Sequence, residues 1–157
     1  VKMQHYNSRV AWGETIFEIS GREDKICGIY IADRGSYPAF TESEMTRRAA
    51  RQLKEYFRKE RRSFDLPLFE EGTEFQQRVW HALRQIPWGS TLTYGELAAL
   101  IGCPGAARAV GSAAGKNKQL IVTPCHRLIS AGGRPGGFSA GLPLKEKLLC
   151  LEEIRLP

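Results

Sequence analysis

Four consecutive residues, Pro124-Cys125-His126-Arg127, place a thiol beside an imidazole and a guanidinium directly after an apolar run. That grouping suits a nucleophile. A free cysteine ionises at about pH 8.5, so a reactive one needs a base or a positive charge close by, and His126 and Arg127 are of the right types. The bland alternative is an inert buried thiol that happens to precede a histidine. Composition and order predict Leu120-Ile121-Val122 as a short buried strand, ended by Pro124 and followed by the glycine-rich stretch Gly132 to Gly141. In an extended segment Cys125 and His126 point to opposite faces, so a proton passes between them only through a water or a bent backbone.

The elements that must hold such a group belong to a chain of 157 residues, enough for one domain or two small ones. Hydrophobic residues at 42% and charged ones at 25% describe a globular protein, and no run of 18 apolar residues or signal-peptide pattern occurs. A cytoplasmic location is the expectation. The four cysteines, Cys27, Cys103, Cys125 and Cys150, show no paired spacing and read as free thiols. Without a C-x-x-C, and with His5, His81 and His126 scattered, no metal site is expected.

A net charge of +6 favours an acidic partner such as nucleic acid. Eight of the 23 Lys and Arg residues lie between Arg47 and Arg62, on a predicted helix with Met45, Ala49, Leu53 and Tyr56 inward. A solvated face explains them as well as a DNA contact does.

Thr15 to Ser20 and Lys25 to Ala32 read as a hairpin across Gly21-Arg22-Glu23-Asp24. Ser63 to Gly72 lacks periodicity and reads as a linker, which divides the chain into 1–68 and 69–157. Beyond it, Thr73-x-x-Gln76 and Thr93-x-x-Glu96 are capping boxes that open two helices, with Phe75, Val79, Leu83 and Ile86 as one apolar stripe and Leu97, Leu100 and Ile101 as the other. Gly102-Cys103-Pro104-Gly105 then turns the chain into a third helix ending near Gly115. Helix, tight turn, helix is a DNA-binding arrangement. Pro143, Leu144, Leu148 and Leu151 mark a closing amphipathic helix.

The candidate recognition helix, Ala106 to Gly115, has almost nothing with which to read bases. Its slimness suits the minor groove, about 6 Å wide against a helix of about 10–12 Å. Arg108, its one long cation, can fill the place of an extruded nucleotide. Close packing against another helix would also explain the alanines and glycines.

Taken together, Pro124-Cys125-His126-Arg127, the segment Arg108-Ala109-Val110-Gly111, Asn117 and the tail Leu148-Leu149-Cys150-Leu151-Glu152 resemble the O6-alkylguanine-DNA alkyltransferases, strongly over 73–157 and weakly before. The resemblance implies an α+β fold: an N-terminal ribonuclease-H-like α/β domain and a C-terminal helical domain with a winged helix-turn-helix. It implies irreversible, cofactor-free transfer of one alkyl group from O6-alkylguanine in double-stranded DNA to Cys125, by a monomer bound through the minor groove. His126 would be a water-mediated base, Glu152 its partner, and Tyr94 the proton donor to the departing guanine. Arg108 would intercalate, with Ala107, Gly111 and Ser112 on the DNA face. Asn117 and Arg127 would support the site, while Leu128, Phe138, Ser139 and Ala140 would line the base pocket, with main-chain carbonyls of Cys125 and Leu128 accepting from the guanine amine. Lys118, Leu128 and Phe138 depart from the common pattern.

Two rivals share parts of this pattern. Alkyltransferase-like binding proteins carry tryptophan at the cysteine position, and Cys125 argues against them. A winged-helix regulator would leave Cys125 idle, and the polar-poor recognition helix argues against it.

Overall fold

The computed structural model describes residues 4–32 and 41–157, and the fold is mixed α and β. The chain forms two units, Val1–Glu70 and Glu71–Pro157. In the first, β1 (Tyr6–Trp12), β2 (Thr15–Gly21) and β3 (Ile26–Ile31) pair antiparallel in sequence order. The hairpin of β2 and β3 turns across Arg22 to Lys25, whose main chains bond at 2.8 Å. Strand β1 goes beyond the sequence expectation. Its inward positions are Ser8 and Val10, so its alternation carries one aliphatic side chain only. Gly13, at φ 59°, opens the two-residue turn between Trp12 and Thr15, a conformation that suits glycine.

Helix α1 (Glu44–Phe57) begins with a capping box between Ser43 and Thr46. Its packed face carries Ala49, Leu53 and Tyr56 as expected, but Thr46 takes the place assigned to Met45, which is half-buried. The reason is polar. The hydroxyl of buried Ser8 donates to Thr46 Oγ1 at 2.9 Å, so β1 and α1 satisfy each other's buried hydroxyls. Arg47, Arg51 and Lys54 stand in solvent on the opposite face.

The expected linker at 63–72 is more ordered than its composition suggests. Ile26 donates to Pro67 O and accepts from Phe69 N at 2.9 and 2.8 Å, adding a short parallel bridge to β3, while the Gln52 side chain both donates to and accepts from the Asp65 main chain. Such pairing leaves no side-chain periodicity to read.

In the second unit, α2 (Glu74–Arg84) and α3 (Tyr94–Leu100) start at the two predicted capping boxes, Thr73 with Gln76 and Thr93 with Glu96. Val79, Trp80 and Leu83 are buried on α2, joined by Ile86 just past its end. Each such side chain contributes roughly 1.5–3 kcal/mol by leaving water. On α3 the stripe is Leu97 and Ala98, and Leu100 is 65% exposed, because it stands about 160° round the helix from Ala98, off the face that packs. Helix α4 (Ala107–Gly115) buries Val110, Ala113 and Ala114, with the Trp80 indole donating to Ala113 O at 2.9 Å. Strands β4 (Leu92–Thr93) and β5 (Leu128–Ile129) pair in parallel, and α5 (Leu142–Leu151) packs Leu144, Leu148 and Leu149 inward. No helix among the described residues is long and apolar enough to cross a membrane.

Candidate active site

Leu120-Ile121-Val122 is buried as expected, yet it is a tight turn and not a strand. Ile121 sits at φ 71°, a left-handed conformation unusual for a β-branched residue. Asn117 organises this turn. Its Oδ1 accepts from Gln119 N at 2.8 Å, and its Nδ2 donates to Thr123 O at 2.9 Å and to Cys125 Sγ at 3.2 Å. A local side-chain bond of this kind competes with strand pairing, which is why the apolar run does not extend.

Cys125 to Arg127 form a single 3-10 turn, closed by Arg127 N on Pro124 O at 2.9 Å. The extended geometry expected at Cys125 and His126 is therefore replaced by a bend. All three residues are buried, His126 completely. His126 Nε2 lies 2.6 Å from Glu152 Oε2, and Arg127 grips the same carboxylate through Nε at 2.7 Å and Nη2 at 3.0 Å. Arg127 also reaches Ile86 O through Nη1 at 2.6 Å. Glu152 follows α5, so a carboxylate 25 residues along the chain from Arg127 joins the His126-Arg127 pair in one buried cluster.

Burial alone would raise the Glu152 pKa, but hydrogen bonds and charge from His126 and Arg127 outweigh it and hold the carboxyl at about 2. Glu152 is thus an anion that only accepts. It follows that His126 carries its proton on Nε2, leaving the Nδ1 lone pair, which is buried and has no partner among the described residues, free to take a proton. Burial also pushes the His126 pKa down despite Glu152. The Cys125 thiol is pushed up by burial, with the Asn117 amide and the Lys145 cation pulling the other way. At rest the pair is a neutral thiol and a neutral imidazole.

Lys145 is a buried cation beside the site that the sequence reading did not single out. It sits on α5 fully buried, its Nζ donating to Leu128 O at 2.6 Å and Gly137 O at 3.1 Å, and burial brings its pKa down to about 8. Its position, one residue after Leu144 in the stripe, was the available signal. Leu128 O, expected to face a guanine amine, already accepts from this lysine, and Cys125 O accepts from Leu128 N.

Tyr94, at the start of α3, is half-buried, with its ring against Gly111 of α4 and its hydroxyl against Gly136. A Cβ on Gly136 would lie 2.8 Å from that hydroxyl and 2.9 Å from Ser130 Oγ, so glycine is required there by space as well as by φ 74°. Burial is the main force raising the Tyr94 pKa, the thiol adds to it, and the Gly137 main-chain N–H opposes. Phe138 and Ala140 are half-buried and Ser139 is exposed along the loop that follows. On α4, Arg108, Ala109 and Ser112 are exposed while Ala107 and Gly111 are half-buried. No group of three His, Cys, Asp or Glu side chains capable of holding a metal occurs among the described residues.

Comparison with known proteins places these features in context. A family profile described as the DNA-binding domain of 6-O-methylguanine DNA methyltransferase matches residues 74–154. A methylated-DNA–protein-cysteine methyltransferase of Methanosarcina acetivorans is 54% identical over 109 residues, 69% of this chain and 70% of that one. One from Mycolicibacterium paratuberculosis is 43% identical over 146 residues, 90% of this chain and 88% of its own. Among solved structures, Mycobacterium tuberculosis OGT in complex with DNA superposes with a TM-score of 0.83 at 40% identity, covering 92% of this chain and 91% of the other.

Proposed function

Because the chain belongs to the methylated-DNA–protein-cysteine methyltransferase family, we propose that it repairs O6-alkylguanine in double-stranded DNA by moving the alkyl group irreversibly onto its own Cys125. The observation that carries this reading is the Glu152–His126 contact at 2.6 Å, since it orients an imidazole with an open Nδ1 lone pair in the same buried turn as Cys125. His126 Nδ1 takes the thiol proton through an intervening water. The Cys125 thiolate attacks the alkyl carbon, the S–C bond forms as the C–O6 bond breaks, and the electron pair leaves with the guanine. Tyr94 protonates the departing base and recovers a proton from the imidazolium through solvent. One thioether forms per protein molecule. No cofactor enters the balance.

The raised pKa of Tyr94 keeps its phenol protonated and able to donate at neutral pH. Guanine recognition rests on the pocket formed by Leu128, Phe138, Ser139 and Ala140, with Asn117 and Arg127 holding the turn that bears the thiol. The slim outer face of α4 enters the minor groove, with Arg108 filling the space left by the everted nucleotide and Ala107, Gly111 and Ser112 against the backbone. In fold terms this goes with a ribonuclease-H-like first unit, supported by the antiparallel β1-β2-β3 order with α1, and a winged helix-turn-helix in the second, supported by α3, α4 and the β4–β5 pair. A monomer in the cytoplasm suits the chemistry, for one chain holds the whole cluster and a reducing compartment keeps the acceptor thiol free.

The test is incubation with a duplex carrying radiolabelled O6-methylguanine, followed by peptide mapping. One label per chain on Cys125 is expected, and label elsewhere or none refutes the assignment.

A further inference from the structure

Thr123 is a fully buried hydroxyl residue two positions before the thiol, and its polar contacts tie down the turn. Its N donates to Gln119 O at 2.9 Å; its carbonyl accepts from Asn117 Nδ2 at 2.9 Å and from Cys125 N at 2.8 Å. Its Oγ1 accepts from Arg84 Nη1 at 2.8 Å. Arg84 is the last residue of α2, a helix anchored by Val79, Trp80 and Leu83. The side chain therefore runs from a packed helix to the turn that carries the nucleophile.

Asn117 has two N–H bonds on Nδ2, directed at Thr123 O at 2.9 Å and Cys125 Sγ at 3.2 Å, with Gln119 O a longer contact at 3.5 Å. Where the Thr123 carbonyl stands decides where the second N–H points. We propose that Arg84 and Thr123 are positioning residues that hold the Asn117 amide on the Cys125 sulfur. Arg84 acts through this geometry, its Nη1 reaching Thr123 Oγ1 at 2.8 Å. An N–H aimed at sulfur favours thiolate over thiol, so releasing it leaves burial unopposed by its largest counterweight. The inference adds a further layer to the reading of Cys125 as acceptor, and its test is independent of that reading.

The experiment follows the rate of Cys125 modification by iodoacetamide against pH, read by peptide mass, in the whole protein. Thr123→Val keeps the shape and removes the acceptor; Arg84→Met keeps the stem and removes the donor. Both should move the midpoint upward by about 0.5–1 pH unit, roughly three- to tenfold less thiolate at neutral pH, and Thr123→Ser should restore the wild-type midpoint. The double variant should shift no further than either single one, since both cut the same connection. A midpoint unchanged in Arg84→Met, the variant with the half-buried and more tolerant site, overturns the proposal even if Thr123→Val fails to fold. So does a change in melting temperature with no change in the profile. Absence of label from O6-methylguanine DNA in wild type would instead refute the acceptor reading and leave this result standing.

Discussion

The Lys145 ammonium lies 2.6 Å from the main-chain oxygen of Leu128, a buried cation answered by carbonyls and, among the described residues, by no carboxylate. A charge kept out of water in this way raises the question of what it serves, and Cys125 is the group whose ionisation it favours. Lys145→Met should raise the pH at which alkyl transfer reaches half its maximal rate and slow repair at neutral pH about tenfold, on the order of one pKa unit of lost thiolate stabilisation. The measurement is a pH–rate profile with excess protein. An unshifted midpoint would leave Lys145 as a fastener of the loop through Gly137 O.

Cys125→Ser should bind lesion-bearing duplex with affinity close to wild type while acquiring no alkyl group. Gel-shift titration and mass spectrometry on the same samples separate the two properties. Label transfer by the serine variant would contradict the acceptor role.

Arg108 stands in solvent on α4. Arg108→Ala should therefore weaken repair of duplex DNA by tenfold or more, a few kcal/mol of unstacking no longer compensated, while reaction with free O6-alkylguanine stays near normal. Parallel single-turnover rates on the two substrates decide it, and equal losses would exclude a role in base eversion.

Acid should destabilise the protein through two groups with the same sign. Glu152 titrates at about 2 in the fold and near 4.5 when unfolded, so the stability it confers is complete above pH 4.5 and disappears as pH falls toward 2. His126 has its pKa lowered by burial, so the unfolded chain binds the proton more readily and stability starts to fall below about pH 6.5. Urea melts between pH 7 and pH 3 should show both slopes, and Glu152→Gln should flatten the lower one.

Gly136→Ala adds a methyl 2.8 Å from the Tyr94 hydroxyl at a positive φ. The loop and the phenol must separate. We expect a loss of about 1–2 kcal/mol in stability and a larger fractional loss in transfer rate than in DNA affinity, measured by thermal melts and single-turnover kinetics.

How much of this was legible in the residues depends on whether the signal is local. Both capping boxes in the second unit opened helices at the threonines that announce them, because cap and helix lie within four residues of each other. The apolar run Leu120–Val122 declared its burial and concealed its shape, since the conformation follows from Asn117 reaching across to Thr123. Strand β1 was invisible because its inward serine is paid for by Thr46 from a distant helix. Lys145 carried no signal beyond its place after Leu144, and the convergence of Leu128 and Gly137 on its Nζ gives it a place inside.

The Trp80 indole, bonded to Ala113 O beneath α4, has a mechanical meaning. A slender rod of alanine and glycine would bend if an arginine at its tip were pushed between stacked bases. On the proposed reading of Arg108 as the residue that enters the stack, a helix braced from below by this ring would pass the thrust into the trunk of the second unit and stay straight.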